Sequence, residues 1–79
     1  MANKDTNKVR LIVEFLMLQN NDMVATQEMV DRLNRQWDID VDRKTIYADI
    51  AAIDRVVPVY QVRDGRSVKW TLRRPKDYD

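Results

Sequence analysis

The 79-residue sequence contains no cysteine and no histidine. Without cysteine there is neither a disulfide nor a thiolate metal site, and without histidine the most common general base, metal ligand and pH-sensitive group are missing. A catalytic site would have to be built from carboxylates, and we find no paired-carboxylate motif, phosphate-binding loop or nucleophile elbow. The sequence therefore predicts a protein that is not an enzyme and that uses no cofactor or metal.

Long hydrophobic runs are also missing. The most apolar stretch, residues 11–18, is too short to span a membrane and is interrupted by Glu14. The first residues show no apolar core followed by a small-residue cleavage site, so we expect a cytoplasmic protein with no membrane partner. With a single glycine and 44% apolar residues, the composition is typical of one ordered, helix-rich domain, and no small-molecule ligand is evident.

The net charge is only +1, but the charges are unevenly distributed along the chain. Residues 1–42 contain five basic and eight acidic residues, whereas residues 43–74 contain eight basic and three acidic ones. A basic half is typical of a protein surface that meets phosphate groups. The alternative is that both halves are ordinary solvated surface.

The acidic half begins with a predicted helix that runs to about Asn20, with Thr6 as its cap. Its apolar residues form one broad stripe, which we assign to the core: Val9, Leu11, Ile12, Val13, Phe15, Leu16 and Leu18. The opposite strip carries Arg10, Glu14 and Met17 and is expected to be exposed.

A second helix, from about Gln27 to Gln36, is predicted after the turn residues 20–22, with Thr26 as its cap. Its apolar stripe consists of Met29, Val30, Leu33 and Trp37. Because Trp37 continues this stripe, we expect it to be a core side chain rather than a ligand platform.

A third helix is predicted over residues 43–55, with Asp42 as its cap. One side of it carries the apolar stripe Ile46, Ile50, Ile53 and Val57, and the other carries Lys44, Ala48, Ala51 and Arg55. An apolar back, a basic start and a nearly flat alanine front suit insertion into the major groove of DNA. The alternative is an amphipathic surface helix whose alanines only support helicity.

After Pro58 the pattern is that of two β-strands around Asp64-Gly65. The pair predicts a hairpin with a two-residue type I′ turn, in which Arg63 faces Arg66, Gln61 faces Val68 and Val59 faces Trp70. In this register the inward residues are Val59, Val68, Trp70 and Leu72, and the outward ones are Tyr60, Val62, Lys69 and Thr71. Two facing arginines at the tip favour a bound anion, unless they simply splay apart in water.

Three helices followed by a basic-tipped hairpin is the order of the winged helix-turn-helix, an α+β fold that is mainly α. We place the domain at residues 6–72, between a flexible start (1–5) and a polar tail or linker stub (73–79). The run from Arg43 to Ile50, followed by Ile53, resembles the recognition-helix signature of the N-terminal domain of WYL-domain bacterial transcription regulators and of related DeoR-like winged helices. Residues 24–33 and 57–59 are also similar to the corresponding parts of that family.

The resemblance implies DNA contact by Arg43, Lys44, Thr45 and Tyr47, and a structural role for Asp49 inside the domain. Ala48 stands where many relatives carry arginine, which implies the loss of one contact. The sensor domain that usually follows is not in this sequence, so the resemblance implies no effector-binding function.

We therefore expect sequence-specific binding to double-stranded DNA as a transcription regulator, with helix 43–55 in the major groove and the wing, residues 59–72, on the backbone or in the minor groove. Exposed alanines would allow close approach and methyl contacts to thymine. The expected DNA-binding residues are Arg43, Lys44, Thr45, Tyr47, Ala48, Ala51, Arg63, Arg66 and Lys69. One small domain makes few contacts, so we expect a homodimer on paired half-sites.

The alternative function is a stand-alone protein-interaction module that acts on another regulator without binding DNA. In that interpretation Met17, Tyr60 and Val62 are exposed and contribute to the interface.

Overall fold

The computed structural model describes residues 4–76, and the side chains of residues 6–76. Its elements are α1 (Lys4–Asn20), β1 (Val24–Ala25), α2 (Thr26–Trp37), α3 (Arg43–Asp54), β2 (Tyr60–Asp64) and β3 (Ser67–Thr71). Three helices followed by an antiparallel hairpin form a small, mainly helical α+β domain with the winged-helix layout, as predicted. Residues 1–3 and 77–79, which belong to the predicted flexible start and polar tail, lie outside the described residues.

The sheet contains one strand more than the sequence predicted. Its order is β1-β3-β2 with both pairs antiparallel, and Val24 of β1 lies opposite Trp70 of β3. A two-residue strand is too short to show the alternation by which strands are recognised in a sequence. Because β1 pairs with the free edge of β3, β3 is the central strand of the sheet. It also packs against α1 and α2.

The hairpin register differs from the predicted one. Arg63 lies opposite Val68 and Asp64 opposite Ser67, so the two turn residues are Gly65 and Arg66 rather than Asp64 and Gly65. Gly65 has φ +63°, and Arg66 does not have a positive φ. A type I′ turn requires positive φ at both central positions, whereas type II′ requires it only at the first, where Gly65 lies. The predicted facing of Arg63 and Arg66 is therefore wrong.

The new register changes which wing residues are neighbours, because Gln61 now lies opposite Trp70. Trp70 is buried, as predicted, but Thr71, predicted to face outward, is only 2% exposed. Thr71 lies at the end of the central strand, and its Oγ1 accepts a hydrogen bond from the Arg73 N–H at 3.0 Å. The other residues predicted to face outward, Tyr60, Val62 and Lys69, are half-buried.

The third helix follows the prediction closely. Ile46, Ile50 and Ile53 are buried in the core, and the Asp42 carboxylate caps the helix by accepting a hydrogen bond from the Thr45 N–H at 2.8 Å. The helix ends one residue earlier than expected, with Arg55 at the C-cap.

In the second helix the predicted core residues Met29 and Leu33 are buried, but Trp37, also predicted to be in the core, is not. Met29 and Leu33 are fully buried, whereas Trp37 is 49% exposed. Asp38 adopts a left-handed conformation, φ 54° and ψ 36°, and its N–H bonds to the Leu33 carbonyl. This C-terminal turn redirects the chain so that Ile39, rather than Trp37, enters the core.

The first helix is rotated relative to the expected orientation, so its predicted stripe is only partly buried. Val13 and Leu18 are buried as predicted, and Leu11 and Phe15 pack against the core. Met17 and the strictly buried Glu14 (0% exposed) point inward, while Val9, Ile12 and Leu16 are 39%, 59% and 44% exposed. Thr6 lies inside the helix, so its predicted capping role is also wrong. A helix that is apolar almost all round has no periodicity that selects one face, so the choice depends on what the neighbouring elements offer.

Arg10 provides that selection, because its guanidinium bonds to Asp49 of α3. The bond turns the Arg10, Glu14 and Met17 side of α1 towards α3. Among residues 4–76 no helix is long and apolar enough to cross a membrane.

Candidate nucleic-acid interface

The first turn of α3 presents positive charge at a helix end that disfavours it. Arg43 and Lys44 are exposed, and the turn contains no acidic residue. The N-terminal end of a helix carries a partial positive charge, so cations there are less stable than anions. Asp42 offsets part of this cost, and the Thr45 N–H bond to it lowers the pKa of the Asp42 carboxyl. The arrangement favours an external anion.

The outer face of α3 is accessible over its whole length. Lys44, Ala48, Ala51 and Arg55 are exposed, as the helical spacing predicted, and Thr45 is half-buried. Because the two alanines have short side chains, another surface can approach the helix backbone closely between Lys44 and Arg55.

Three of the predicted DNA-binding residues line one depression between the start of α2, the start of α3 and the tip of the wing. Arg43 and Tyr47 come from α3, and Arg66 comes from the hairpin turn. The remaining lining residues are Ala25, Thr26, Gln27, Ser67 and Val68. Two guanidinium groups from distant parts of the chain therefore border a single opening.

Tyr47 is held in this depression by the sheet. Its ring packs edge-on against the Trp70 ring, with centroids 5.9 Å apart and an interplanar angle of 70°. The Trp70 indole N–H donates a hydrogen bond to Thr26 Oγ1 at 2.8 Å, and the Thr26 hydroxyl donates to the Val68 carbonyl at 3.3 Å. This chain of contacts connects α3, β3 and α2 behind the interface.

Thr26 was predicted to be a helix cap, and that prediction is wrong. It is the first residue of α2, and Ala25 occupies the N-cap position without a side-chain hydrogen bond. A threonine before an apolar run is typical of a cap, and no local pattern indicates that its hydroxyl accepts a hydrogen bond from a tryptophan 44 residues away.

Arg43 is oriented by a polar chain along α2. Its Nε donates to Gln27 Oε1 at 2.9 Å, and Gln27 Nε2 donates to Asp31 Oδ1 at 3.1 Å. These bonds fix the Arg43 side chain over the depression, and guanidinium donors remain for another acceptor.

The wing contributes exposed positive charge at its tip. Arg63 and Arg66 are exposed, while Lys69 Nζ lies 3.3 Å from Asp64 Oδ2. Within the described part of the chain, no carboxylate lies within ion-pair distance of Lys44, Arg63 or Arg66. Among the described residues, the charge of Lys69 is thus balanced by Asp64, whereas those of Arg63 and Arg66 are not balanced by a described carboxylate.

The inner side of α3 is joined to α1 by an ion pair between Arg10 and Asp49. Arg10 donates two hydrogen bonds to Asp49, from Nε to Oδ2 at 2.5 Å and from NH2 to Oδ1 at 3.0 Å. Arg10 also donates to Asn7 Oδ1 at 2.9 Å. Asp49 therefore has the structural role inside the domain that the sequence resemblance implied.

Glu14 lies beside this pair but is not bonded to it. Its Oε2 is 3.9 Å from Arg10 Nε, and neither carboxyl oxygen has a hydrogen-bond partner among the described residues. The pKa of Glu14 is raised from 4.5 to about 9, chiefly by burial and also by the neighbouring Asp49 carboxylate, while Arg10 acts in the opposite direction. Glu14 is therefore protonated and uncharged at neutral pH.

The described residues contain no group of three or more acidic side chains placed to hold a metal ion. Comparisons of the chain with protein-family models, with curated proteins and with solved structures find no match.

Proposed function

We propose that this protein binds double-stranded DNA as a transcription regulator, with α3 in the major groove and the β2–β3 wing on the backbone or in the minor groove. The observation that carries the proposal is the convergence of Arg43 and Tyr47 from α3 with Arg66 from the wing on one depression. A phosphate group there would meet two guanidinium groups, which are the side chains best suited to it.

The charge at the start of α3 supports the same function. Arg43 and Lys44 oppose the helix dipole, and Lys44 has no acidic partner among the residues described. A nearby phosphate would offset both unfavourable terms. As an ordinary surface helix, α3 would gain stability from an acidic residue at these positions.

The alanine front of α3 supports binding in the major groove. The groove is about 12 Å wide and admits a helix, and Ala48 and Ala51 add little to the helix diameter. In this mode Lys44, Thr45 and Tyr47 contact base edges or nearby phosphates, and the alanine methyl groups contact thymine.

On the wing, Arg63 and Arg66 are ready to contact the DNA backbone. Lys69 contributes after its exposed pair with Asp64 opens, which costs little because such pairs contribute at most about 1 kcal/mol. A single domain of this size makes few contacts, so we propose a homodimer on two half-sites.

The experiment measures fluorescence anisotropy of a labelled random-sequence duplex of about 20 bp at salt concentrations between about 50 and about 200 mM. The double variant Lys44→Glu/Arg66→Glu should bind at least about 100-fold more weakly, and its slope of log K against log salt should fall by about 2, since two phosphate contacts are lost.

The matched control is Arg35→Glu/Lys76→Glu, which makes the same change in net charge. Arg35 is exposed on α2, and Lys76 is exposed beyond the end of β3 that lies opposite the turn. The control should keep most of its affinity. Equal weakening of both double variants, or unchanged binding by Lys44→Glu/Arg66→Glu, would contradict the proposal.

The alternative function is a protein-interaction module. Met17, one of the three residues expected to form its interface, is buried and cannot contribute to it. Ile12 and Leu16 are exposed and would provide the interface instead. No binding to random duplex at low salt, together with a stable complex in a pull-down, would favour this function over DNA binding.

A further inference from the structure

We propose that the exposed apolar face of α1 is a homodimer interface, in which two copies of α1 pack antiparallel across a twofold axis at Ile12. The inference rests on the proposed function, because such a dimer would span two half-sites on DNA. The pairing of the two α1 helices itself does not require DNA. We call the surface the α1 stripe and define it as Val9, Ile12 and Leu16.

The α1 stripe lies beside a groove that is almost wholly apolar. From α1 the groove is lined by Leu11, Ile12, Phe15 and Leu16, and from the end of α3 and the segment after it by Ile53, Val56 and Val57. Val56 is 84% exposed at its edge. Clustered apolar side chains on a small soluble domain mark an interaction surface.

The spacing of the α1 stripe fits one partner helix. Its residues are separated by three and then four positions, the alternation by which a helix presents a seam to another helix. The seam is about 10 Å long at 1.5 Å per residue.

The charge pattern favours a second copy as the occupant. None of the seven groove residues is charged, so the surface offers no complement to an acidic or a basic partner. A surface without charge does not repel its own copy, and a twofold interface must be complementary to itself.

The order of side-chain sizes along the seam favours the antiparallel arrangement. Ile12 lies between the smaller Val9 and the larger Leu16, so an axis at Ile12 places each valine opposite the partner's leucine and keeps the two ends equally filled. It also opposes the two helix dipoles. A parallel pair would instead bring the two positive N-terminal ends and the exposed Lys8 side chains together.

The groove meets α3 at the end remote from its basic first turn. The 12-residue helix is about 18 Å long, and its groove residue Ile53 lies near its C-terminal end. Dimerisation there leaves Arg43 and Lys44 of both copies accessible. A single helix pair buries less than the roughly 800 Å² per partner of a standard interface, so we expect dimers at micromolar concentrations and above.

Cysteine cross-linking tests the geometry, because the natural sequence has no cysteine. Under mild oxidation without DNA, Ile12→Cys should form a disulfide-linked dimer. Val9→Cys alone should not, since its two copies would be about 9 Å apart along the axis. A mixture of Val9→Cys and Leu16→Cys proteins should cross-link to each other, and Asn34→Cys, exposed on α2, should stay monomeric.

Sedimentation equilibrium at about 100 µM protein provides the second measurement. The natural chain should have twice the monomer mass, and Ile12→Glu should be a folded monomer by circular dichroism, because Ile12 is exposed. A monomeric natural chain, or self cross-linking of Val9→Cys as efficient as that of Ile12→Cys, would overturn the proposal.

Selection from a random duplex pool separates this inference from the proposed function. The natural chain should select palindromic sites and Ile12→Glu single half-sites, while Lys44→Glu/Arg66→Glu should select nothing yet still dimerise. Dimers without any selected DNA would refute only the function. Selected DNA without dimers or cross-links would refute only the interface.

Discussion

Arg10 of α1 and Asp49 of α3 form a two-point ion pair between residues 39 positions apart in the sequence. Both side chains are largely shielded from solvent. Asp49 is buried whereas Ala48 and Ala51 are exposed, so the pair fixes the rotation of the helix whose outer face forms the candidate interface.

We predict that Arg10→Ala destabilises the protein by about 3 kcal/mol, because it leaves the partly buried Asp49 carboxylate without its partner. Urea denaturation followed by circular dichroism measures the change. The matched control is Arg32→Ala, which removes an exposed i,i+4 pair with Glu28 and should cost less than about 1 kcal/mol. Equal losses for the two variants would show that the Arg10–Asp49 pair adds nothing beyond a surface contact.

Glu14 gives a pH-dependent prediction. Its pKa is raised from 4.5 to about 9 in the folded protein, so between these values the folded state holds a proton that the unfolded state releases. Its contribution to stability is therefore complete below pH 4.5 and falls as the pH rises towards 9. Glu14→Gln, which stays neutral, should be more stable than the natural chain by about 2–4 kcal/mol at pH 8 and by little at pH 4.5.

The measurement is the free energy of unfolding at several pH values for both proteins. Glu28→Gln serves as the control, because Glu28 is on the surface in an exposed pair. Its stability curve should run nearly parallel to that of the natural chain. A Glu14→Gln curve parallel to the natural one would show that Glu14 is ionised in the folded state.

The Thr26 hydroxyl is predicted to stabilise the contact behind the interface. Thr26→Val leaves the buried Trp70 indole N–H without an acceptor and should cost about 1–3 kcal/mol, while Thr26→Ser should retain most of the stability. Thr26→Asn distinguishes this role from helix capping, since asparagine is a good cap but cannot reproduce the hydroxyl geometry. A neutral Thr26→Asn variant in thermal unfolding would restore the capping interpretation.

The sequence predicted an element well where residues close together in the chain determine its orientation, and poorly where contacts between distant residues determine it. The third helix was predicted well, because its cap and its isoleucine stripe select one face unambiguously. For α1 the apolar residues surround the helix, so the exposed face depends on the Arg10–Asp49 bond, which no local pattern reveals. Trp37 was misplaced because a left-handed Asp38 ends its helix.

The hairpin shows a smaller error with a similar cause. An Asp-Gly pair predicts a turn, but a glycine suits either central position of the loop, and only the pairing of the strands decides which. The turn therefore lies one residue later than predicted, each strand residue has a partner two positions further along, and Arg63 no longer faces Arg66.

The candidate site was predicted in part. The basic and alanine residues of α3 lie on its exposed face, as their spacing indicated. The approach of Arg66 to Arg43, and the support of Tyr47 by Trp70 and Thr26, come from packing among α2, α3 and β3. Contacts between residues so distant in the sequence leave no periodic signal.

The neutral Glu14 also changes the charge balance of the whole molecule. The composition assigns a formal net charge of +1, but with this carboxyl protonated the folded chain is one unit more positive at neutral pH. Unfolding at that pH releases the proton to the buffer, so the heat of unfolding depends on the ionisation enthalpy of the buffer. The native domain is thus a more basic particle than its amino-acid composition indicates.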